Sequence, residues 1–310
     1  MSTLVLSHPS SLLHDMGDGH PERPDRIRVI QRVLEHERFQ QLIRERAPAA
    51  SMEAITRVHP ADYVRALEEA VPKEGITQLD QDTILCPGTW EAMIHSAGGA
   101  CRAVDEVMGG LVSNAFVATR PPGHHAERST PMGFCFLNNA AIAARHAQAV
   151  HGAKRVAIMD FDVHHGNGTQ DIFWSDQSVM YLSTHEAPLY PGTGFANETG
   201  DFNNIVNAPL PAGADGEVFS HAMSTLILPR IDEFAPDLII ISAGFDAHQR
   251  DPLAHLNLLE TDFGWATKRL MEMANKHCQG RVVSVLEGGY DLDGLARSVA
   301  AHVLTLMGAG

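Results

Sequence analysis

Short apolar runs rich in β-branched residues alternate with longer amphipathic segments along the chain, and this alternation limits the folds that the sequence can adopt. The pattern is typical of βαβ units and predicts a parallel sheet covered by helices, with its most apolar strands buried on both faces. Strands are predicted at residues 4–6, 115–119, 156–159, 179–182, 238–242 and 282–286. Helices are predicted at residues 24–37, 61–69, 90–108, 138–150, 217–233, 261–276 and 292–306, with Asp215 as an N-cap.

Five irregular stretches connect these segments, and four of them follow a predicted strand or carry His, Asp and Gly. In parallel α/β sheets, ligands bind beyond the carboxyl ends of the strands, so these loops should converge on one site. No internal repeat or Pro/Ser-rich linker divides the sequence, which predicts one α/β domain over residues 1–310. The irregular stretches are residues 14–23, 72–87, 120–137, 184–207 and 247–259.

The composition narrows the class of partner. A net charge of -15 argues against a nucleic-acid partner, because phosphate backbones require basic surface. The sequence contains no run of eighteen apolar residues, so no membrane span is predicted. Its first residues predict a strand rather than a signal peptide. Four widely spaced cysteines without a C-x-x-C pair favour a reducing, cytoplasmic location. The sequence does not fix the oligomeric state, and a homo-oligomer is compatible with it.

Histidine is unusually abundant, with 18 residues, and several histidines lie beside Asp and Gly rather than on apolar helix faces. This placement suggests a metal site. The strand at 156–159 leads directly into an Asp-x-Asp-x-His-His-Gly run, in which Asp162 and His164 share one face of an extended segment. Asp160 joins them only if the strand stays regular. Asp246, which follows the strand at 238–242, is the leading candidate for the third ligand that a catalytic metal requires.

Two further motifs complete the predicted site. His124 and His125 follow a Pro-Pro-Gly turn after the strand at 115–119, and two imidazoles could divide the proton transfers of a hydrolase. Tyr290 follows two glycines after the last strand, where its hydroxyl could donate to an oxyanion.

The sequence resembles the histone deacetylase and acetylpolyamine amidohydrolase superfamily, and most closely its class II-like bacterial members. The resemblance runs in order over nearly the whole chain. It is carried by the motifs at residues 19–24, 120–126, 133–140, 160–168, 190–194, 242–248 and 287–290.

The resemblance implies a three-layer α/β/α domain around a mostly parallel eight-stranded sheet, the arginase/deacetylase fold. It also implies zinc-dependent removal of acetyl or another short acyl group from a lysine side chain or a related amine. The expected zinc ligands are Asp162, His164 and Asp246. The expected catalytic residues are the pair His124 and His125, their respective partners Asp160 and Asn167, and Tyr290. The expected substrate-binding residues are Gly133, Phe134, Tyr190, Leu253 and Arg26, of which Arg26 would line an internal channel. A structural potassium ion is expected on Asp160, Ser183 and Thr184, with the backbone of Asp162 and His164.

Asn167 departs from the class I pattern, which has an aspartate at this position. An amide cannot raise the pKa of its histidine by charge, so His125 is expected to be the readier base and His124 the more easily charged partner.

Other departures concern the substrate. Tyr190 replaces a phenylalanine common in the tunnel wall, and its hydroxyl could alter the acyl-chain preference. Leu85 stands where some members carry a rim aspartate that grips peptide backbone. Leu253 stands where one polyamine-specific branch has a glutamate, which weakens the alternative of an acetylpolyamine amidohydrolase without excluding it.

The sequence is compatible with two rival functions. A binuclear manganese ureohydrolase would share the fold, but it needs extra bridging carboxylates, and the sequence offers one clear cluster of three ligands. A non-catalytic acyl-lysine-binding protein would be favoured by loss of a ligand, a histidine or the tyrosine, and none is lost.

Overall fold

A computed structural model describes residues 1–309. Within this range, eight strands form one sheet in the order β2-β1-β5-β10-β9-β6-β7-β8, and every neighbouring pair in it is parallel. The strands are β1 Thr3–Ser7, β2 Ile43–Arg46, β5 Asn114–Val117, β6 Val156–Asp160, β7 Val179–Glu186, β8 Ile205–Leu210, β9 Leu238–Ala243 and β10 Val282–Leu286, and the short antiparallel pair is β3 Thr77–Gln78 and β4 Ile84–Leu85.

Helices cover both faces of this sheet. They are α1 Asp25–Leu34, α2 Met52–Thr56, α3 Ala61–Ala70, α4 Thr89–Met108, α5 Asn139–His151, α6 Asn167–Phe173, α7 Gly216–Ala222, α8 Leu228–Phe234, α9 Glu260–His277 and α10 Leu292–Leu306, with 3-10 turns at Pro9–Leu12 and Glu37–Phe39. Successive residues of one strand enter different cores: Ile158 packs in one hydrophobic cluster and Met159 in the other. This division confirms the three-layer α/β/α fold, because both faces of each central strand are buried. No helix among residues 1–309 is both long and apolar enough to cross a membrane.

The predicted strands are all present, but two strands at the edges of the sheet were not predicted. β2 has the sequence Ile-Arg-Glu-Arg and is largely exposed, so it lacks an apolar run. β8 contains Asn207 and Pro209, and a proline is tolerated in an edge strand because one side of that strand needs no ladder donor.

The helix predicted at 217–233 is divided into α7, a π-helical turn at Met223–Ile227, and α8. Pro229 lies in the first turn of α8, where its missing N–H and ring disfavour a continuous helix. Asp215 caps α7 as predicted, with its Oδ1 accepting from the backbone N–H groups of Glu217 and Val218.

The register of the central strands brings the predicted site residues together. Asp160, the last residue of β6, pairs with Ser183 on one side and Ser242 on the other. Leu286 at the end of β10 pairs with Ala243 at the end of β9. The loops after β6, β9 and β10 therefore leave the same edge of the sheet side by side.

Candidate active site

Three buried side chains converge where the loops after β6 and β9 meet. Nδ1 of His164 lies 3.2 Å from Oδ1 of Asp162 and 3.1 Å from Oδ2 of Asp246, and one donor atom from each residue lies within 4.8 Å of the others. Among the described residues, no lysine or arginine forms an ion pair with either carboxylate. Burial and the neighbouring Asp162 raise the pKa of Asp246 to about 7. Two carboxylates and an imidazole in this arrangement fit a zinc ion, because a dication would compensate their buried charge.

Two glycines allow the carboxylates to approach the backbone. A Cβ atom on Gly288 would lie 2.1 Å from Oδ2 of Asp246, and one on Gly244 would lie 2.0 Å from Oδ2 of Asp162. The N–H of Gly288 donates to Oδ2 of Asp162 at 2.8 Å, and the N–H of Val163 donates to Oδ1 of Asp246 at 2.9 Å. These contacts orient both carboxylates toward His164, so the ligand cluster is preorganised by backbone groups.

The two adjacent histidines after β5 have different partners. Nδ1 of His124 lies 2.9 Å from Oδ2 of Asp160, whereas Nδ1 of His125 lies 2.8 Å from Oδ1 of Asn167. Nδ2 of Asn167 donates to Oε1 of Glu127 at 3.0 Å, which directs the amide oxygen toward His125. Nδ1 of His125 must therefore carry the proton of this hydrogen bond, and its Nε2 is left free to accept one.

The surroundings of the two rings shift their pKa values in opposite directions. Burial opposes a charge on His124, but Asp162 and Asp160 outweigh it and raise its pKa well above the ordinary value. Burial lowers the pKa of His125 well below the ordinary value, and His124 and His164 lower it further. The directions agree with the expectation from Asn167 that His125 is the readier base.

A cavity of about 240 Å³ leads from the surface to these groups. Its walls include Phe134 and Tyr290, whose rings meet edge to face at 5.8 Å, and Tyr190, whose ring lies 5.2 Å from that of His125. A Cβ on Gly133 would lie 2.6 Å from the His125 ring, so the wall requires glycine there. The remaining lining residues are His125, His164, Leu189, Leu253 and Asp82.

Comparisons with known proteins agree with this geometry. The model of the histone deacetylase domain matches residues 20–306. The chain is 40% identical to a probable deacetylase of Archaeoglobus fulgidus over 95% of this chain and 83% of that protein. It is 39% identical to a histone deacetylase-like amidohydrolase of Pseudomonas aeruginosa, over 88% of this chain and 73% of that protein. The crystal structure of the HDA15 HD domain superimposes with a TM-score of 0.94 at 36% identity, over 99% of this chain and 88% of that one.

The chain belongs to the histone deacetylase family. Membership of this family indicates that the chain is a hydrolase of the deacetylase and amidohydrolase kind. It also agrees with the observed arginase/deacetylase fold.

Arg26 is placed differently from the other predicted substrate-binding residues. It is fully buried and is not among the residues lining the 240 Å³ cavity. Its guanidinium carbon lies 5.0 Å from the centre of the Tyr290 ring, its Nε donates to the Gly289 carbonyl at 2.7 Å, and its Nη1 pairs with Glu22 at 2.9 Å. In this structure Arg26 therefore lies behind the tyrosine, and its role along an internal channel stays a prediction.

The predicted potassium ligands lie on the strands beside the ligand cluster. Oγ1 of Thr184 is buried without a hydrogen-bond partner among residues 1–309, as expected of an oxygen available to a cation. The hydroxyl of Ser183 lies 2.8 Å from Nδ1 of His185, and Oδ1 of Asp160 accepts from the N–H of Asp162 at 3.1 Å.

Three further residues contact the site and are not among the residues predicted from the sequence. Asp82 lines the cavity, so a carboxylate lies at the tunnel although Leu85 replaces the expected rim aspartate. Glu287 accepts through Oε2 from the N–H groups of Gly123 at 2.7 Å and His124 at 3.1 Å, and it thereby holds the histidine loop. Asp251 accepts from the N–H of Tyr290 at 2.7 Å. The position of Glu287 inside a recognised motif was a signal for it, whereas Asp251 had none.

A second group of metal-ligand residue types lies between α4 and α5. Oδ1 of Asp105 lies 2.7 Å from Nε2 of both His146 and His151. Nη1 of Arg57 lies 3.3 Å from Nδ1 of His146, so that nitrogen accepts and Nε2 carries the proton toward Asp105. We call these three residues, Asp105, His146 and His151, the helix clamp, because their hydrogen bonds join two helices.

Proposed function

We propose that this protein is a zinc-dependent amidohydrolase that removes acetyl or another short acyl group from the side chain of a lysine or a related amine. The observation that carries the proposal is the placement of Asp162, His164 and Asp246 at the base of a cavity walled by Phe134 and Tyr190. An extended acyl-amine fits such a cavity better than a bulky substrate, because the space is small, about 240 Å³, and lined mainly by aromatic and aliphatic side chains.

Asp162, His164 and Asp246 would hold the zinc ion, which would supply Lewis acidity toward the scissile carbonyl. His125 accepts the proton of the attacking water at Nε2, because its Nδ1 is committed to Asn167. His124, which Asp160 favours in the charged form, donates a proton to the departing amine. Positive charge at the ligand site would lower both pKa values, while the two different partners keep them apart.

Tyr290 donates its phenolic proton in a hydrogen bond to the oxyanion that forms at the carbonyl. Burial raises the pKa of this phenol well above its ordinary value, so it remains a protonated donor at neutral pH. The Gly133 carbonyl would accept from the substrate amide, and Phe134 and Tyr190 would exclude water from the acyl-amine stem.

A potassium ion would bind near Ser183, Thr184 and the backbone of Asp160, Asp162 and His164. The unpartnered hydroxyl of Thr184 supports this part of the proposal. Acetylpolyamine hydrolysis is the alternative substrate class, and Asp82 at the cavity would attract the charged amines that remain on such a substrate.

The test is release of acetate from a fluorogenic acetyl-lysine peptide, measured before and after treatment with a chelator and after readdition of zinc. Tyr290→Phe should lower turnover about a hundredfold, as for the loss of other oxyanion donors. Tyr190→Phe is the matched control, because it removes a hydroxyl from the same cavity without removing the oxyanion donor, and its turnover should stay within a fewfold of the original. Binding of the peptide without metal-dependent acetate release would instead identify a non-catalytic acyl-lysine binder.

Metal counting separates the proposal from a binuclear ureohydrolase. One zinc ion per chain is expected, since the described residues offer one buried cluster of two carboxylates and an imidazole. Two manganese ions per chain together with urea release would contradict the proposal. A panel of acetyl-lysine peptides, acetylpolyamines and small acetylamines, ranked by kcat/KM, would then identify the substrate class.

A further inference from the structure

Asp251 links the two loops that follow β9 and β10. Its carboxylate is buried, with 7% of the residue exposed. Oδ2 accepts from the backbone N–H of Tyr290 at 2.7 Å and of Asp291 at 3.3 Å, while Oδ1 accepts from the N–H of Leu253 at 3.0 Å. The same side chain thus contacts the backbone of two residues, Tyr290 and Leu253, that line the cavity.

The segment around Tyr290 needs such a fixed point. Gly289 has a φ of +122°, a conformation open to glycine but rarely to other residues, so the backbone just before the tyrosine has unusual freedom. On the other side, Oδ1 of Asp291 caps α10 by accepting from the N–H of Gly294 at 2.7 Å. Asp251 bridges these two features at the tyrosine itself, where a small backbone rotation would displace the phenol.

Only an ionised carboxylate can make both contacts at once. An asparagine would accept through its oxygen on one side and present an N–H to another N–H on the other. No arginine, lysine or histidine among residues 1–309 forms an ion pair with Asp251, so its charge is stabilised by the three backbone donors. Burial of a carboxylate without a cationic partner is costly, which argues against a role as simple loop filler.

We propose that Asp251 is a positioning residue that holds the Tyr290 hydroxyl and the Leu253 wall in register with the reacting carbonyl. This inference rests on the proposed amide hydrolysis for its catalytic consequence. The residue acts through the backbone of Tyr290 and does not itself touch the substrate. Without the carboxylate, the tyrosine hydroxyl is still present, but it can move away from the oxyanion.

A double-mutant cycle tests the proposal. Asp251→Asn should lower kcat for an acetyl-lysine peptide about tenfold, part of the loss expected for removing an oxyanion donor. In a Tyr290→Phe background the same substitution should cost less than about twofold, because the group that it positions is already absent. An equal tenfold loss in both backgrounds would show a merely structural role and overturn the proposal. The kcat/KM ratio of acetyl to longer acyl substrates should also change in Asp251→Asn, because Leu253 loses its anchor.

Hydrogen exchange gives a readout that does not depend on turnover. In Asp251→Asn, peptides containing residues 288–292 should exchange about tenfold faster, whereas peptides from Val282–Leu286 should be unchanged. Asp293→Asn is the matched control, because this carboxylate is exposed and pairs only with Arg250 and Arg297 among the described residues, and it should exchange like the original protein. Should Asp251→Asn not fold, Asp251→Ser, which keeps one acceptor, replaces it in both experiments. Unchanged exchange at 288–292 would overturn the inference, while an inactive original protein with faster exchange in the variant would refute the proposed function alone.

Discussion

The ligand cluster (Asp162, His164 and Asp246) and the helix clamp contain the same residue types, but they differ in burial and surroundings, and we expect a metal only in the ligand cluster. Asp162, His164 and Asp246 are buried, and their donor atoms face one another. In the helix clamp, the side chains of His146 and His151 are 13% and 20% exposed and both rings donate to one oxygen of Asp105. The proximity of aspartate and histidine side chains is therefore not enough to identify a metal site.

The two clusters differ in the side chains and backbone groups that surround them. In the helix clamp, the guanidinium group of Arg57 lies beside His146. A cationic side chain is therefore already present there, and it directs the ring proton of His146 toward Asp105. In the ligand cluster, backbone N–H groups orient the carboxylates, and glycines leave the space beside them free. Two buried carboxylates without a lysine or arginine partner create an electrostatic demand that a dication would satisfy.

The largest effect is expected from replacing one carboxylate of the ligand cluster, with the equivalent replacement in the helix clamp as the control. Asp246→Asn should remove bound zinc and lower acetate release more than about a hundredfold, because a lost ligand should cost at least as much as a lost supporting contact. Asp105→Asn is the matched substitution and should leave zinc content and kcat unchanged. Metal analysis after dialysis, combined with the peptide assay, measures both. Loss of zinc from the Asp105 variant would contradict the distinction between the clusters.

A smaller effect is expected from filling the space beside the carboxylates. Gly288→Ala should weaken zinc binding about tenfold or more, since the added Cβ would lie 2.1 Å from Oδ2 of Asp246 and must displace it. Gly264→Ala on α9 is the control, because its Cβ would lie 3.4 Å from the nearest side-chain atom, Oγ1 of Thr305. Competition with a zinc chelator gives the affinities. Equal affinities in the two variants would mean that the glycine is not needed to admit the ion.

His124 and His125 have different partners, Asp160 and Asn167, and exchanging one of these partners should change the pH dependence of the reaction. Asn167→Asp places a carboxylate at Nδ1 of His125 and should raise the pKa of that ring. A general base works only when unprotonated, so the acidic limb of the kcat/KM profile should move to higher pH by about one unit. Asp160→Asn is the complementary variant, since it lowers the pKa of His124 and should leave that limb in place or move it to lower pH. An acidic limb that does not move in Asn167→Asp would remove His125 from the role of base.

The smallest effect is expected in the helix clamp. Hydrogen bonds from His151 and His146 outweigh partial burial and lower the pKa of Asp105. A carboxyl group with a lowered pKa in the folded state stabilises the protein above its unfolded pKa of about 4, and this contribution is lost as the pH falls through the folded value. Asp105→Asn should therefore lower the unfolding free energy at pH 7 by about 1 kcal/mol or less, since the group is partly exposed. Denaturation curves at pH 7, 5 and 3 should show a difference from the original protein that shrinks toward pH 3.

The predictable features were those encoded next to one another in the sequence. Asp162 and His164 directly follow an apolar strand, and the parallel order of the sheet brings them to Asp246, as predicted. The edge strand β2 escaped prediction because an exposed strand does not need an apolar run, and β8 escaped because Asn207 and Pro209 interrupt its apolar residues.

The supporting residues could not be found in the same way. Asp251 accepts from the backbone N–H of Tyr290, 39 positions away, and no local pattern marks this contact. Glu287 lies in the motif at residues 287–290, but nothing in that motif indicates its contact with Gly123, 164 positions away. The residues of the helix clamp are likewise brought together only by the packing of α4 on α5. Their roles depend on tertiary structure rather than on spacing.

The position of β10 sets the order in which the active site can be assembled. This strand is the last of the chain, yet it lies between β5 and β9 and joins three strands on one side to four on the other. During synthesis, the two halves of the sheet cannot be joined until residues 282–286 have left the ribosome. The N–H of Gly288, which orients Asp162, arrives still later. At the proposed zinc site, nascent chains that end before this strand should therefore bind the ion weakly, because the groups that orient its ligands are still missing.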